Sequence, residues 1–164
     1  MSKKDIEPKP FCIQPSPQTI ITCRSKEGED NALAVSFAAN ASFDKPMVMI
    51  GIVPSRYSYS MIKESKCFVV NIPDENLKDI YYYLGSVSGK DENKIEKANL
   101  TKKECDKINC FYLEECPICI ECEVVDSIMP GSHELFVGEV KSIHCKEELL
   151  DADNNIIWDK LKLL

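Results

Sequence analysis

Two long strand-like runs near the carboxyl end constrain the fold of this chain more than any other feature. Ile118 to Ile128 and Glu134 to His144 are rich in β-branched and aromatic residues, and only Met129-Pro130-Gly131-Ser132-His133 separates them. Five residues containing proline and glycine can join antiparallel strands, whereas a parallel crossover needs a dozen or more. The pattern therefore predicts an antiparallel hairpin.

The first half of the chain shows more short strand-like segments, alternating with two amphipathic stretches. Tyr57 to Lys66 has apolar residues at helical spacing, and Ser58 is the expected cap at its start. Asp74 to Leu84 repeats the pattern with Asp74 as the N-cap, and Asp91 to Ala98 indicates one or two further helical turns. Asn99 to Glu115 has no clear pattern. The predicted strands of this half are Gln18 to Cys23, Ala32 to Phe37, Met47 to Val53 and Cys67 to Ile72.

Antiparallel strands with a few helices, and no regular alternation of the two, predict a mainly β fold. We expect an antiparallel barrel or sheet with helices at its margin. The 164 residues suffice for one sizeable core, so we predict a single domain over residues 15–164. The four prolines of Met1 to Pro17 indicate that residues 1–14 form an extended segment.

Charge and composition exclude several functions. A net charge of −7 disfavours nucleic acid as a partner, because the phosphate backbone would be repelled. No apolar run approaches the length of a membrane span, and the amino-terminal stretch lacks the apolar centre of a signal peptide. We therefore expect a cytoplasmic protein with no membrane partner, whose nine cysteines remain reduced thiols.

The strongest candidate site is Pro54-Ser55-Arg56-Tyr57-Ser58, at a predicted junction between strand and helix. Free N–H groups at a helix start and the helix dipole favour an anion there. The hydroxyls of Ser55 and Ser58 and the guanidinium of Arg56 complete a cluster of the size of a phosphate group. The alternative is an ordinary capped helix with a solvated arginine.

Two further segments could contact a ligand. Ser86 to Asp91 contains Ser88, Gly89 and Lys90, so it can form a turn that exposes N–H groups beside a positive charge, or an ordinary glycine turn. Ser36 to Ser42 holds small side chains around Asn40, which would let a flat ligand approach the backbone closely. The alternative there is tight packing of one strand on another.

The spacing of Cys116, Cys119 and Cys122 invites a metal or iron–sulfur interpretation, which we do not prefer. Along a strand, Cys119 and Cys122 should point to opposite faces. We therefore interpret them as buried structural thiols. Any zinc site would need a further ligand from Cys105, Cys110, His133, His144 or Cys145.

Neither histidine has a neighbouring serine or cysteine arrangement that indicates a catalytic triad. His133 lies in the hairpin loop and His144 at the end of a strand. We predict that both are surface residues rather than general bases, so hydrolase chemistry is not indicated.

The order of several short motifs resembles the flavin reductase-like, flavoredoxin-type FMN-binding family. The resemblance extends from about Pro15 to Leu161. The motifs are Ile20-Ile21-Thr22-Cys23, Asn31-Ala32, Val35-Ser36-Phe37, Ser42-Phe43-Asp44-Lys45-Pro46, Ser55-Arg56-Tyr57-Ser58-Tyr59, Phe68-Val69-Val70-Asn71-Ile72-Pro73, Ser88-Gly89-Lys90-Asp91-Glu92-Asn93-Lys94, Ile120-Glu121-Cys122 and His133-Glu134-Leu135-Phe136-Val137-Gly138-Glu139-Val140.

This resemblance implies a split β-barrel that binds FMN, usually as a homodimer. It assigns the phosphate to Ser55, Arg56 and Ser58, with Tyr57 and Ser88 alongside and Lys90 assisting. It also places the isoalloxazine against Ser36, Phe37, Ala38, Ala39 and Asn40.

The implied function is an FMN-dependent oxidoreductase, such as an NAD(P)H-dependent flavin or ferric reductase. No side chain need be catalytic, since the flavin supplies the chemistry. A flavoredoxin-type electron carrier that serves a protein partner without oxidising NAD(P)H directly remains an alternative. A cysteine-rich metal-binding protein is a second one.

Overall fold

A seven-stranded antiparallel sheet dominates the structure, a computed structural model that describes residues 1–164. Its strand order is β2-β1-β5-β8-β9-β4-β3, and a separate two-stranded sheet pairs β6 with β7. The large sheet does not close into a complete barrel, so β2 and β3 are its two edge strands. The mainly antiparallel, split-barrel prediction is confirmed. The strands are β1 (Thr19–Arg24), β2 (Asp30–Val35), β3 (Ala38–Ser42), β4 (Met47–Ile52), β5 (Cys67–Ile72), β6 (Lys102–Glu104), β7 (Phe111–Leu113), β8 (Ile118–Ile128) and β9 (Glu134–Cys145).

The predicted hairpin is β8 and β9, which pair along most of their length. The register shifts between Glu121 and Cys122 and again between Val124 and Asp126. Bulges of this kind bend a strand and increase its twist. The hairpin therefore curves, with β8 pairing β5 and β9 pairing β4.

The central strands separate two apolar clusters, because successive side chains of a strand point to opposite faces. Along β5, Val69 enters one cluster while Phe68 and Val70 enter the other. The first cluster lies beneath the β6–β7 hairpin, and the second fills the interior of the barrel. A strand buried on both faces explains why β5 reads as an almost continuous apolar run.

Three α-helices lie at the margin of the sheet: α1 (Tyr57–Ser65), α2 (Lys78–Ser86) and α3 (Lys94–Lys97). Lys66 ends α1 in the left-handed conformation, at φ 60°. The predicted cap Asp74 accepts a hydrogen bond from the Asn76 N–H at 3.0 Å and so begins a 3-10 turn that leads into α2. None of these helices has the length and apolar character needed to cross a lipid bilayer.

The structure differs from the sequence predictions at three places. The first is strand β3. The sequence predicted only that Ser36 to Ser42 follow a strand and can contact a ligand, not that they form a strand themselves. The second is the small β6–β7 hairpin, in the region without a prediction. The third is the cap of α1, where Ser58 was wrong: Arg56 occupies the cap position without a side-chain hydrogen bond, and Ser58 is buried within the helix.

Candidate functional site

A cavity of about 160 Å³ opens where the end of β4 and the start of α1 meet the segment after α2. It contains four of the five residues predicted around the anion and brings them together with residues the sequence did not single out. The lining residues are Asn31, Leu33, Ala34, Ser55, Arg56, Tyr57, Ser58, Leu84, Gly85, Val87, Ser88, Gly89 and Lys94.

The start of α1 forms one wall of the cavity. The Arg56 N–H donates to the Val53 carbonyl oxygen and the Tyr59 N–H to the Arg56 carbonyl oxygen. The N–H groups of Tyr57 and Ser58 have no backbone partner. The Arg56 cap position makes no side-chain hydrogen bond, and the first turn of the helix contains no acidic residue. The N–H groups of a first turn lack partners within the helix, and the helix dipole places partial positive charge there. Ser55 and Arg56 are exposed beside these donors, so this wall favours an anion.

Ser58 and Asn31 link that wall to strand β2. The Asn31 side-chain amide donates to the Ser58 hydroxyl oxygen at 2.7 Å, and both side chains are buried. This bond fixes the Ser58 hydroxyl at the cavity lining. The sequence indicated Asn31 only as part of a family motif. Its contact with Ser58 depends on the tertiary fold.

Lys94 is the most informative residue that the sequence analysis did not assign to the site. Its side chain is only 3% exposed, yet its ammonium has no carboxylate partner and donates only to the Leu84 carbonyl oxygen at 2.9 Å. Burial, with a contribution from the nearby Arg56 charge, lowers the pKa of Lys94 to about 8. A buried cation is costly unless it is paired, so an anion bound in the cavity would stabilise the charged Lys94.

The segment after α2 closes over the cavity because residue 89 is a glycine. A Cβ atom at Gly89 would lie 2.5 Å from the Asn31 Oδ1 atom and 2.8 Å from the Tyr57 ring. Ser88 and Gly89 therefore line the cavity. Lys90 is exposed and lies outside the lining, while its N–H bonds the Ser88 hydroxyl at 3.2 Å.

Tyr57 borders the cavity, and its hydroxyl group is bonded to Glu29 rather than left free for an anion. The Tyr57 hydroxyl donates to the Glu29 carboxylate at 2.9 Å. This hydrogen bond raises the pKa of Tyr57 above its ordinary value, since the neighbouring negative charge disfavours the phenolate. The tyrosine is therefore held neutral and fixed against the glycine segment.

The predicted isoalloxazine segment, Ser36 to Asn40, does not line this cavity. It leaves β2 two residues after the lining residue Ala34 and forms most of β3, at the edge of the sheet. The Phe37 carbonyl oxygen accepts the Gly51 N–H at 2.8 Å, and the His133 ring stands edge-on to Phe37 at 4.6 Å. Ala39 and Asn40 are exposed.

The two histidines were predicted to be surface residues rather than general bases, and each also contacts a neighbouring side chain. Both are only partly exposed: His133 packs on Phe37, and the His144 Nε2 atom lies 2.6 Å from the buried Glu121 carboxylate. The strand register allows the contact between His144 and Glu121, since His144 lies opposite Cys119 and Glu121 is two residues further along β8.

The three cysteines with C-x-x-C spacing do not converge. Cys119 packs in one apolar cluster and Cys122 in the other, so the prediction that they point to opposite faces is confirmed. Burial raises the pKa of each thiol to about 12, which disfavours the thiolate needed to ligate a metal.

A different cluster of possible metal ligands consists of Asp106, Glu121 and His144, whose ligand atoms lie within 4.8 Å of one another. Both Glu121 carboxylate oxygens already accept backbone N–H groups, from Asp106 and Lys107 at 2.9 Å. Burial would raise the pKa of Glu121, but the hydrogen bonds from His144 and these N–H groups lower it. The carboxylate is thus satisfied by protein donors and needs no ion.

Known proteins share this architecture. A family model described as "Flavin reductase like domain" matches residues 13–160. An uncharacterized protein of Archaeoglobus fulgidus is 40% identical over 127 residues, which are 77% of this chain and 71% of that protein.

Two solved structures illustrate the shared fold. The flavoredoxin of Desulfovibrio vulgaris superposes with a TM-score of 0.89 at 23% identity, covering 97% of this chain and 85% of that one. An FMN-binding protein from Thermus thermophilus, solved with 1-cyclohex-2-enone, has a TM-score of 0.80 at 23% identity, covering 95% and 86%. The chain belongs to the flavin reductase-like domain family, and this membership supports a flavin-related redox role.

Proposed function

We propose that this protein binds FMN and acts as an FMN-dependent oxidoreductase, with the flavin phosphate in the cavity between α1 and α3. The observation that carries the proposal is the buried Lys94 ammonium, which shares the cavity with Arg56 and has no carboxylate partner. A phosphate monoester carries about −1.5 to −2 charges at neutral pH and would compensate both cations.

The dimensions of the cavity fit one end of FMN. Sites that enclose a whole drug-sized ligand measure about 300–1,000 Å³, and this cavity measures about 160 Å³. The phosphate end therefore fits inside, held by Ser55, Arg56, Ser58, Ser88 and Lys94, while the ring system stays outside.

We propose that the ring lies against Ser36, Phe37, Ala38, Ala39 and Asn40. Strand β3 pairs only with β4, so its outer edge offers unpaired backbone N–H and C=O groups. The small side chains of Ala38 and Ala39 allow close approach to that backbone. When bound, FMN would supply the redox chemistry, and these backbone groups would orient the ring and tune its potential by hydrogen bonding.

The visible spectrum of the purified protein tests flavin binding directly. We expect a yellow protein that releases FMN, identified by chromatography after denaturation. A protein that stays colourless after incubation with FMN would contradict the proposal. Anaerobic stopped-flow mixing with NADH and with NADPH then tests the reductase assignment, for which we expect bleaching of the flavin by one of the two.

A flavoredoxin-type electron carrier is the second candidate, and the close structural likeness to a flavoredoxin favours it. This carrier would hold FMN in the same way but would receive electrons from a protein partner. Flavin that is not bleached by either nicotinamide, but is reduced by a separate reductase, would select the carrier. The remaining candidate, a cysteine-rich metal-binding protein, predicts stoichiometric metal in a colourless or brown preparation.

We also propose a homodimer. Val125, Ile128 and Met129, at the outer end of the β8–β9 hairpin, are each about half exposed. Clustered exposed apolar side chains are typical of association surfaces. Light scattering coupled to size-exclusion chromatography should give twice the chain mass, and the mass of a single chain would contradict this proposal.

A further inference from the structure

The β6–β7 hairpin ends in two cysteines that face each other. Its last ladder pair is Glu104 with Phe111, so Cys105 and Cys110 come next, and the Cys105 N–H donates to the Cys110 carbonyl oxygen at 3.0 Å. Facing residues of an antiparallel pair have Cα atoms about 4.5–5.5 Å apart, within the range that a disulfide joins. Both side chains contact the same apolar cluster of the core.

The two thiols differ in their access to solvent. Cys105 is partly exposed, whereas Cys110 is fully buried. The neighbouring Cys105 thiol and burial together raise the pKa of the Cys110 thiol well above its ordinary value. A third thiol, Cys67, belongs to the same apolar cluster as Cys110, and its sulfur lies 3.6 Å from the Asn109 carbonyl oxygen. A partly exposed thiol thus lies next to buried ones. An external disulfide would react first with the accessible thiol, and a buried thiol would then attack the mixed disulfide.

We propose that Cys105 and Cys110 form a thiol–disulfide exchange site for low-molecular-weight disulfides such as oxidised glutathione. The Cys105 thiolate attacks one sulfur of the external disulfide, forming a mixed disulfide and expelling one thiolate. Cys110 attacks the Cys105 sulfur and expels the second thiolate, which takes up the Cys110 proton as it leaves. The protein dithiol is oxidised by two electrons, and the external disulfide is reduced to two thiols.

The bond would close on a loop that supports the protein interior. Within that loop, the Asp106 and Lys107 N–H groups satisfy the buried Glu121 carboxylate, and Arg24 contacts the Asn109 side chain at 3.4 Å. Facing Cβ atoms are about 4.5–5.5 Å apart, slightly more than the 3.5–4.5 Å of a disulfide. Exchange with an external thiol would reopen the bond, so the loop would be locked reversibly.

Mass spectrometry of the full chain tests this proposal. In a Cys12→Ser background, which removes the exposed thiol of the amino-terminal segment, the protein is treated with oxidised glutathione and then alkylated. We expect loss of two free thiols, no retained glutathione, and a cross-link that maps to Cys105 and Cys110. A cross-link at another pair, or glutathione retained on Cys105, would overturn the proposal.

Two variants separate the roles of the thiols. Cys110→Ser should trap one glutathione on Cys105, because no resolving thiol remains, and Cys105→Ser should retain all its other thiols. Cys145→Ser, which removes a partly exposed thiol elsewhere, should still lose two. If Cys110→Ser forms no adduct while its circular dichroism matches that of the parent, Cys105 is not the attacking thiol and the proposal fails. The cross-link map of the parent protein needs no variant and decides the matter if a variant fails to fold.

Discussion

Replacing Lys94 by methionine should weaken FMN binding and, unusually, stabilise the protein without ligand. The loss of one charge-assisted hydrogen bond to phosphate should weaken binding by about 1.5–3 kcal/mol, or roughly 10- to 150-fold. Methionine has a similar length and is apolar, so it suits the position, which is 3% exposed.

The stabilisation follows from the pKa of Lys94. A lowering from 10.5 to about 8 means that burial disfavours the charged form by about 3 kcal/mol. Methionine removes this cost and also removes the bond to the Leu84 carbonyl oxygen, worth about 1 kcal/mol. The net gain of about 2 kcal/mol should raise Tm by about 4–8 °C near neutral pH.

The pH dependence has a defined sign. Because the folded pKa lies below the unfolded value, the destabilisation is fully present below about pH 8 and disappears as pH rises towards 10.5. The difference in Tm between Lys94→Met and the parent should therefore shrink across that window.

The assays are flavin fluorescence titration and thermal unfolding of the apoprotein. Lys97→Met is the matched control, since Lys97 lies on the same helix but is 65% exposed and paired with Glu92. It should change FMN affinity and Tm little. Unchanged FMN affinity in Lys94→Met, or a lower Tm of its apoprotein, would refute the reasoning.

Three further predictions concern the same cavity. Arg56→Ala should weaken FMN binding by about 1.5–3 kcal/mol through loss of a charge-assisted phosphate bond, and equilibrium dialysis that finds unchanged affinity would count against the site. Gly89→Ala places a methyl group 2.5 Å from the Asn31 Oδ1 atom, so overpacking should cost about 1–3 kcal/mol in urea unfolding. The control Gly131→Ala has no atom within 4 Å of its Cβ position and should cost clearly less. FMN affinity of the parent should fall as pH rises above about 8, where Lys94 loses its proton, by at most about tenfold per pH unit. A Lys94→Met titration that runs parallel to the parent in that range would contradict the assignment of this proton to Lys94.

Much of the fold could be predicted because the signals were local. Alternating and β-branched residues gave the strands of the hairpin to within a residue at their ends, and Asp74 marked the start of a helical segment correctly. Strand β3 carried no such signal, because its small and polar residues lie exposed at a sheet edge. Only its pairing with β4 makes it a strand.

The residues of the candidate site also fall into two groups, those that a local sequence pattern could predict and those that it could not. Ser55, Arg56, Tyr57 and Ser58 are consecutive, so their shared position at a helix start could be predicted from the sequence. Lys94 could not be singled out, because nothing in its local pattern distinguishes it from the exposed Lys90 and Lys97. Its burial depends on the packing of α3 against β2 and α2.

The sequence by itself determined that this chain forms an antiparallel, mainly β fold, and it predicted an anion site in the turn after β4. Periodicity and turn chemistry act between residues close along the chain, so they can be read in order. Only the tertiary structure decided which charges are buried, which thiols face each other and which segments enclose a cavity. Those properties depend on contacts between residues distant in sequence, such as Asn31 with Ser58, and no local pattern encodes them.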